Sequence, residues 1–366
     1  MPPPLNVLVV TSTRDAEHAI RPEAELLLGL FRAGVRLEVM TQGDSLWAQR
    51  FREAGLPVHP YHPTRKLSLG AMRRIRRTLV EGGHHILHLF NNKAIANGVW
   101  AAQGLPVRVL TYRGVVGNLP WYDPSSYLTH LHPRVDHIVA VSEAVKSYLQ
   151  RQLWWNPRKI TRIYKGHDPS WYADIQPLDI RAERGLPPET LLVGCAVNHR
   201  KGKGLPTLLE AWKRLPPRPH THLLLMGHHT EPLRKLLRGH PAESTVHFLG
   251  YRPDLLRILP ALDLYVHPSH SEGLSKAILE AMALGCPCCV AAAAGNDELV
   301  LHGKTGLCFP PRNPAALTEA LQHLLDAPQK RRIFAAEARR HFEQNFSLQT
   351  AVAQTLQLYR RLLRGA

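Results

Sequence analysis

His267-Pro268-Ser269-His270-Ser271-Glu272-Gly273-Leu274-Ser275-Lys276-Ala277-Ile278-Leu279-Glu280-Ala281-Met282-Ala283-Leu284-Gly285 is the stretch whose reading decides the fold. The apolar run Leu262 to Val266 before it predicts a buried strand, and the run Ser275 to Leu284, rich in Ala and Leu, predicts a helix. A polar turn joins them. Ser275 stands at the N-cap position, where its hydroxyl is expected to accept an orphan amide of the first turn. The turn then offers N–H groups and the positive end of a helix dipole, which suits a phosphate. Glu272 lies just before the helix, and Glu280 lies inside it after seven intervening residues. A carboxylate beside an anion site is unfavourable unless it holds something neutral and polar, such as sugar hydroxyls. Phosphate plus polyol points to an activated sugar. Taken singly, either glutamate is an ordinary solvated surface charge.

Outward from this stretch the same rhythm repeats. Strands are predicted at Leu191 to Val197, His222 to Met226, Val246 to Leu249, Cys288 to Ala292 and Gly306 to Phe309. Helices fall between them at Leu205 to Arg214, Glu231 to Arg238, Asp254 to Leu259 and Pro314 to Leu325. An earlier series begins with strands at Leu5 to Thr11, Val35 to Thr41 and Pro57 to Tyr61, and runs to Ile160 to Tyr164. Short apolar strands alternating with helices imply α/β structure with parallel, doubly wound sheets. The 366 residues suit two domains. The expected boundaries are residues 1–170, a proline-containing linker at 171–188, residues 189–346, and a C-terminal helix over 347–366. Ligands bind beyond the carboxyl ends of such strands, so two domains facing a cleft would give one site with two halves.

A second motif stands ahead of the first. Asn198-His199-Arg200-Lys201-Gly202-Lys203-Gly204 follows a predicted strand and precedes a helix. Glycines let backbone approach phosphate oxygens, and Lys or Arg supplies charge. A solvated basic turn is the alternative. Together with Glu-x7-Glu, this loop resembles the donor site of retaining family-4 glycosyltransferases of the GT-B fold, two Rossmann-like domains facing a cleft. Lys203-Gly204 matches the family's Lys-Gly, although the arginine usual five residues earlier is Asn198 here and Arg200 is the nearest substitute. Gly295 to Val300 and Gly303 to Leu307 resemble the segments that follow in that family. Leu110 to Gly114, Pro124 to Leu128, His132 to Ser142 and Ile163 to Asp168 resemble the acceptor domain of a bacterial subgroup. Arg113 replaces a histidine often found there, and Thr11 to Asp15 replaces a Gly-Gly loop.

The resemblance implies roles. Glu272, Lys203 and Arg200 would serve catalysis. Gly273, Leu274, Ser275, Lys276, Glu280 and Glu298 would hold the donor, with Glu280 on the ribose. No cofactor is expected beyond the nucleoside diphosphate sugar substrate, and no metal. Asp-x-Asp, which holds a divalent cation in GT-A transferases, is absent, as is GxGxxG. Gly303-Lys304-Thr305 is not a P-loop, because position 299 is Leu299. The last helix would return to the first domain.

Composition bounds the rest. Hydrophobic residues make up 44% and charged residues 20%, which is globular. No apolar run reaches the roughly 18 residues of a membrane span, and the start reads as a short tail rather than a signal peptide. Five cysteines, four of them in or beside apolar runs, argue for a reducing compartment. The formal charge of +17 and pI near 10.0 imply anionic partners. Arg65, Lys66, Arg73, Arg74, Arg76 and Arg77 form an acid-free basic stretch interleaved with Leu67, Leu69, Met72, Ile75 and Leu79. It reads either as an interfacial helix on an anionic bilayer or as a solvated basic helix with a core face. The expected protein is a cytoplasmic enzyme, peripheral on the inner face of the plasma membrane. It would move a hexosyl group to an anionic glycan or glycolipid acceptor, as in lipopolysaccharide synthesis, without binding nucleic acid. The alternatives are a GT-B-fold sugar-nucleotide epimerase and a basic nucleic-acid-binding protein.

Overall fold

The computed structural model describes residues 5–14 and 17–364. The predicted tail at residues 1–4, Asp15 of the first loop and residues 365–366 of the final helix lie outside the described residues. The chain divides into two compact units. One runs to His167 and takes in the chain from Phe346; the other is Asp168–Asn345.

In the first unit the elements are β1 (Asn6–Val10), α1 (Glu17–Arg32), β2 (Arg36–Thr41), α2 (Leu46–Glu53), β3 (Val58–Pro60), α3 (Leu69–Gly82), β4 (Ile86–Leu89), α4 (Asn92–Ala101), β5 (Arg108–Arg113), β6 (His137–Ala140), α5 (Glu143–Gln152) and β7 (Ile160–Arg162). The strands form one sheet in the order β3-β2-β1-β4-β5-β6-β7, and every pairing is parallel. Val7, Leu8, Val9 and Val10 are buried on both faces, as a doubly covered sheet requires. Right-handed crossovers put α1 and α2 on one face and α3, α4 and α5 on the other. The predicted cap at Ser142 forms, its hydroxyl accepting the Val145 amide at 3.2 Å. Arg113 is structural: its guanidinium is buried and donates to the carbonyls of Val115 and Gly117 in the following loop.

The second unit carries α6 (Ile180–Glu183), β8 (Leu191–Ala196), α7 (Leu205–Arg214), β9 (Thr221–Met226), β10 (Val246–Gly250), α8 (Leu255–Ile258), β11 (Leu264–His267), α9 (Lys276–Ala283), β12 (Cys288–Ala291), α10 (Asn296–Leu299), β13 (Gly306–Phe309), α11 (Pro314–Leu325) and α12 (Pro328–Asn345). Its sheet runs β10-β9-β8-β11-β12-β13, again all parallel. α13 (Leu348–Arg364) belongs to the first unit, where Tyr359 meets His88 at 2.8 Å and Val352 packs on Gly29 of α1.

Three expectations change. Residues 171–188 are not a free linker. Tyr172 and Ile180 are buried, and Arg181 donates to Asp263 at 2.6 Å, the Ala261 carbonyl at 3.0 Å and the Thr190 carbonyl at 2.8 Å. Apolar burial and these bonds strap the segment onto the second unit. The helix predicted at Glu231 to Arg238 is a 3-10 helix, Glu231–Leu236, with a proline in its first turn. α12 is not among the predicted helices, although Phe334, Ala338 and Phe342 recur every four residues and are buried.

The basic stretch resolves into loop and helix. Arg65 and Lys66 precede α3, and Ser68 caps it. Ala71, Ile75 and Leu79 turn into the core, while Leu67 and Leu69 stay exposed. The apolar face of this helix is therefore used within the unit, which is the behaviour of a solvated basic helix. Among the described residues no helix is long and apolar enough to cross a membrane.

Candidate functional site

β8 and β11 lie side by side, Leu264 against Val193 and Tyr265 against Gly194. The sheet reverses its order of addition between them, since β9 and β10 extend from one side and β12 and β13 from the other. A crevice beyond the carboxyl ends of strands forms at such a switch point. The loops leaving β8 and β11, residues 197–204 and 268–275, are the two motifs singled out in the sequence.

These loops are stapled together. The His270 amide donates to the Gly202 carbonyl at 2.9 Å, and the Ser269 hydroxyl donates to the same oxygen at 3.3 Å. Gly204 has φ +69° and faces the Pro268 carbonyl so closely that any side chain there would strike it. Glycine is required on both counts. Asn198 accepts the His228 amide at 2.9 Å and so pins the start of its loop to the end of β9. Asn296 anchors α10 from the other side, donating to the carbonyls of Ser269 at 2.9 Å and Ala291 at 3.2 Å.

The stapling brings Lys203 and Glu272 into direct contact as a largely buried ion pair. Behind Glu272 stands His267 at the end of β11, its Nε2 3.2 Å from the same carboxylate oxygen. A carboxylate only accepts, so Nε2–H donates. In the neutral ring Nδ1 then accepts from the Tyr265 hydroxyl at 3.1 Å. Burial by itself would raise the Glu272 carboxyl, but the hydrogen bond from His267 and the charge and hydrogen bond of Lys203 outweigh it and hold the group down at about 2. Glu272 is thus a fixed carboxylate, oriented by one ring and faced by one ammonium.

Glu280 lies one turn into α9, its side chain 6% exposed and paired with Lys276 at 3.0 Å. Burial raises its carboxyl above the ordinary value against the pull of Lys276. Ser275 takes the N-cap position, but its hydroxyl makes no capping bond. The cap bond expected from sequence is therefore absent, and Ser275 joins the helix only through its carbonyl, which accepts the Leu279 amide at 3.2 Å. Gly273 and Leu274 lie in the loop between Glu272 and that turn. Arg200 is exposed on its loop and makes no hydrogen bond or ion pair with Glu272 or Glu280. Glu298 is half-buried on α10, the helix that Asn296 ties to the Ser269 carbonyl.

Two residues here were not picked out from sequence. His267 carries no role in the sequence pattern, although a histidine ending a strand five residues before a glutamate is a legible signal. Asn296 lies in the Gly295 to Val300 segment of the resemblance, but its anchoring role has no local signal, because the Ser269 carbonyl lies on another loop.

Comparison with known proteins bears on the family and the fold. Residues 24–171 match the family described as Glycosyltransferase Family 4, and residues 178–341 match Glycosyl transferases group 1. A glycogen synthase of Mycobacterium tuberculosis is 30% identical over 235 residues, covering 63% of this chain. The chain spans 55% of that relative's length and 59% of that of an uncharacterised glycosyltransferase of Methanocaldococcus jannaschii. Among solved structures, a glycosyltransferase of Rickettsia africae aligns over the whole of both chains with a TM-score of 0.84 at 18% identity. HepE of Anabaena, solved with UDP and glucose, aligns over 98% of this chain and 100% of its own with a TM-score of 0.79 at 21% identity. WaaG, a glycosyltransferase involved in lipopolysaccharide biosynthesis, aligns over 96% of this chain and 99% of its own with a TM-score of 0.70 at 17% identity. At such identities the likeness is one of fold. Two all-parallel sheet units, with glycosyltransferases as their structural neighbours, define the GT-B architecture. The chain belongs to glycosyltransferase family 4.

Proposed function

We propose that this protein transfers a sugar from a nucleoside diphosphate sugar to an acceptor hydroxyl, with retention at the anomeric carbon. The observation that carries the reading is the Lys203–Glu272 contact at the β8/β11 switch point. One loop offers a cation suited to a diphosphate, and its neighbour offers a carboxylate suited to hydroxyls. Each neutralises the other in the free protein. A donor would replace that mutual contact, its phosphate taking Lys203 and its sugar hydroxyls taking Glu272.

In this reading the bond from the anomeric carbon to the diphosphate breaks, and the bond to the acceptor oxygen forms on the same face. The acceptor proton passes to the departing phosphate oxygen. The chief demand is stabilisation of the leaving charge by groups already in place. Lys203, Arg200, Lys276 and the amides near Gly273, Leu274 and Ser275 would meet it without a metal ion. Glu280, buried in α9, would accept the ribose hydroxyls, and Glu298 would approach the donor from α10. The UDP and glucose bound by the Anabaena protein support a nucleotide sugar as donor. WaaG's part in lipopolysaccharide biosynthesis and the +17 charge support an anionic glycolipid acceptor.

A thermal-shift panel of nucleoside diphosphate sugars tests the donor. We expect at least one to raise the melting temperature of the wild type and to leave Lys203→Ala unmoved. Mass spectrometry of the matched donor with and without lipid-linked acceptor then separates transfer from epimerisation. A sugar nucleotide isomerised in the absence of acceptor would overturn transfer, and a panel with no stabilising member would overturn the donor site.

A further inference from the structure

The face of the first unit covered by α3, α4 and α5 carries aromatic side chains that the fold does not use. Trp154 and Trp155, just after α5, are 69% and 48% exposed and pack edge to face at 5.8 Å. Trp121 and Tyr122 are 51% and 74% exposed and form a second edge-to-face pair at 5.9 Å. The two pairs are neighbours: the Trp121 amide donates to the Gln152 side chain at 3.0 Å, two residues before Trp154. Leu119 is pinned to the Tyr148 hydroxyl at 3.0 Å, so the loop carrying Trp121 lies along α5.

The charge around them has one sign. From Lys146 to Lys165 there are six basic residues and no acid. Lys146 and Arg162 share Glu143, and Lys165 meets Glu23. Arg151, Arg158 and Lys159 flank the tryptophan pair with no carboxylate partner among the described residues. The basic stretch before α3 lies on the same face, because Asn97 of α4 holds the carbonyls of Arg65 and Lys66.

We infer that this face docks on an anionic lipid bilayer, with Trp121, Tyr122, Trp154 and Trp155 seated among the headgroups and Arg151 and Arg158 facing lipid phosphates. Tryptophan and tyrosine favour the bilayer interface because each has an apolar body and a polar edge. Neighbouring pairs of exposed aromatics on loops, flanked by cations without carboxylate partners among the described residues, match a planar anionic surface. A protein interface would bury its aromatics in a core depleted of lysine. The docking residues are not those of α3, whose apolar face is already in the core. The inference does not depend on the donor site, since none of these residues belongs to it.

Flotation of the full chain with phosphatidylcholine vesicles, with and without phosphatidylglycerol, tests the docking. We expect binding only to the anionic vesicles, with a blue shift of tryptophan emission and release at high salt. Arg151→Gln with Arg158→Gln should lower partitioning about thirtyfold, at about 1 kcal/mol per basic residue. Trp154→Ser with Trp155→Ser should lower it about tenfold or more, while both variants keep the wild-type melting temperature and donor response. Wild-type protein that stays with the soluble fraction overturns the inference, as does a tryptophan double variant that floats like the wild type. A wild-type dimer that the Trp154/Trp155 substitutions convert to monomer would assign the face to a second copy instead. Loss of the donor response with docking intact would count only against the glycosyl-transfer reading.

Discussion

At the scale of single residues the candidate site is built around one carboxylate and its two neighbours. Lys203 meets Glu272 from the next loop, and His267 fixes it from behind. If Lys203 receives leaving-group charge, Lys203→Ala should lower turnover about 100-fold or more with donor present. Near-normal turnover would remove it from the reaction. His267 acts through Glu272, so it is a positioning residue. His267→Phe deletes a hydrogen bond to a charged group, a loss of about tenfold or more in kcat/KM, while His267→Gln, which keeps an N–H donor, should recover part of it. Equal damage from both substitutions would point to packing alone.

At the scale of elements the site depends on how two loops are clamped. Gly204 begins α7 with a positive φ and sits against Pro268. Gly204→Ala must strain the backbone and push the loops apart. We expect about 1–3 kcal/mol of lost stability, read by urea denaturation, together with loss of donor binding. A variant as stable as the wild type would show that the loops are not clamped there. The segment at 171–188 makes a separate prediction. Arg181 is tied to Asp263, Ala261 and Thr190, and Asp263 also accepts the Leu192 amide at 2.8 Å. Arg181→Ala should make this segment a preferred site of limited proteolysis, since the single short helix α6 cannot hold it. An unchanged cleavage pattern would mean that Tyr172 and Ile180 suffice.

At the scale of the molecule the burial of uncharged histidines sets the pH response. His88 and His130 are buried in the first unit, and burial pushes both down to about 3. In the unfolded chain each titrates near 6.5. Between those values the unfolded state binds more protons, so stability rises with pH there. It is fully present above about pH 6.5 and is lost as pH falls toward 3, at about 1.4 kcal/mol per pH unit for each histidine. Thermal melts from pH 7.5 down to 5 should show a steady fall that begins near 6.5, and His130→Asn should flatten it. A melting temperature that stays level across that range would show that these rings are not held neutral.

The amino-acid sequence by itself determined what is local. Apolar strands alternating with helices, the Glu-x7-Glu spacing and the Lys203-Gly204 loop are contiguous patterns, and each is written in neighbouring residues. The four-residue recurrence of Phe334, Ala338 and Phe342 in α12 is just as local, though its many charges hide it. Only the tertiary structure decided the rest. Lys203 and Glu272 stand 69 residues apart and meet because β8 pairs with β11 rather than with its sequence neighbour alone. The same non-local pairing clamps the loops and gives Asn296 its partners. It is also packing, not pattern, that turned the apolar side of α3 inward and drew 171–188 onto the second unit. An amphipathic period says that a face will be covered; which surface covers it is settled when distant strands come together.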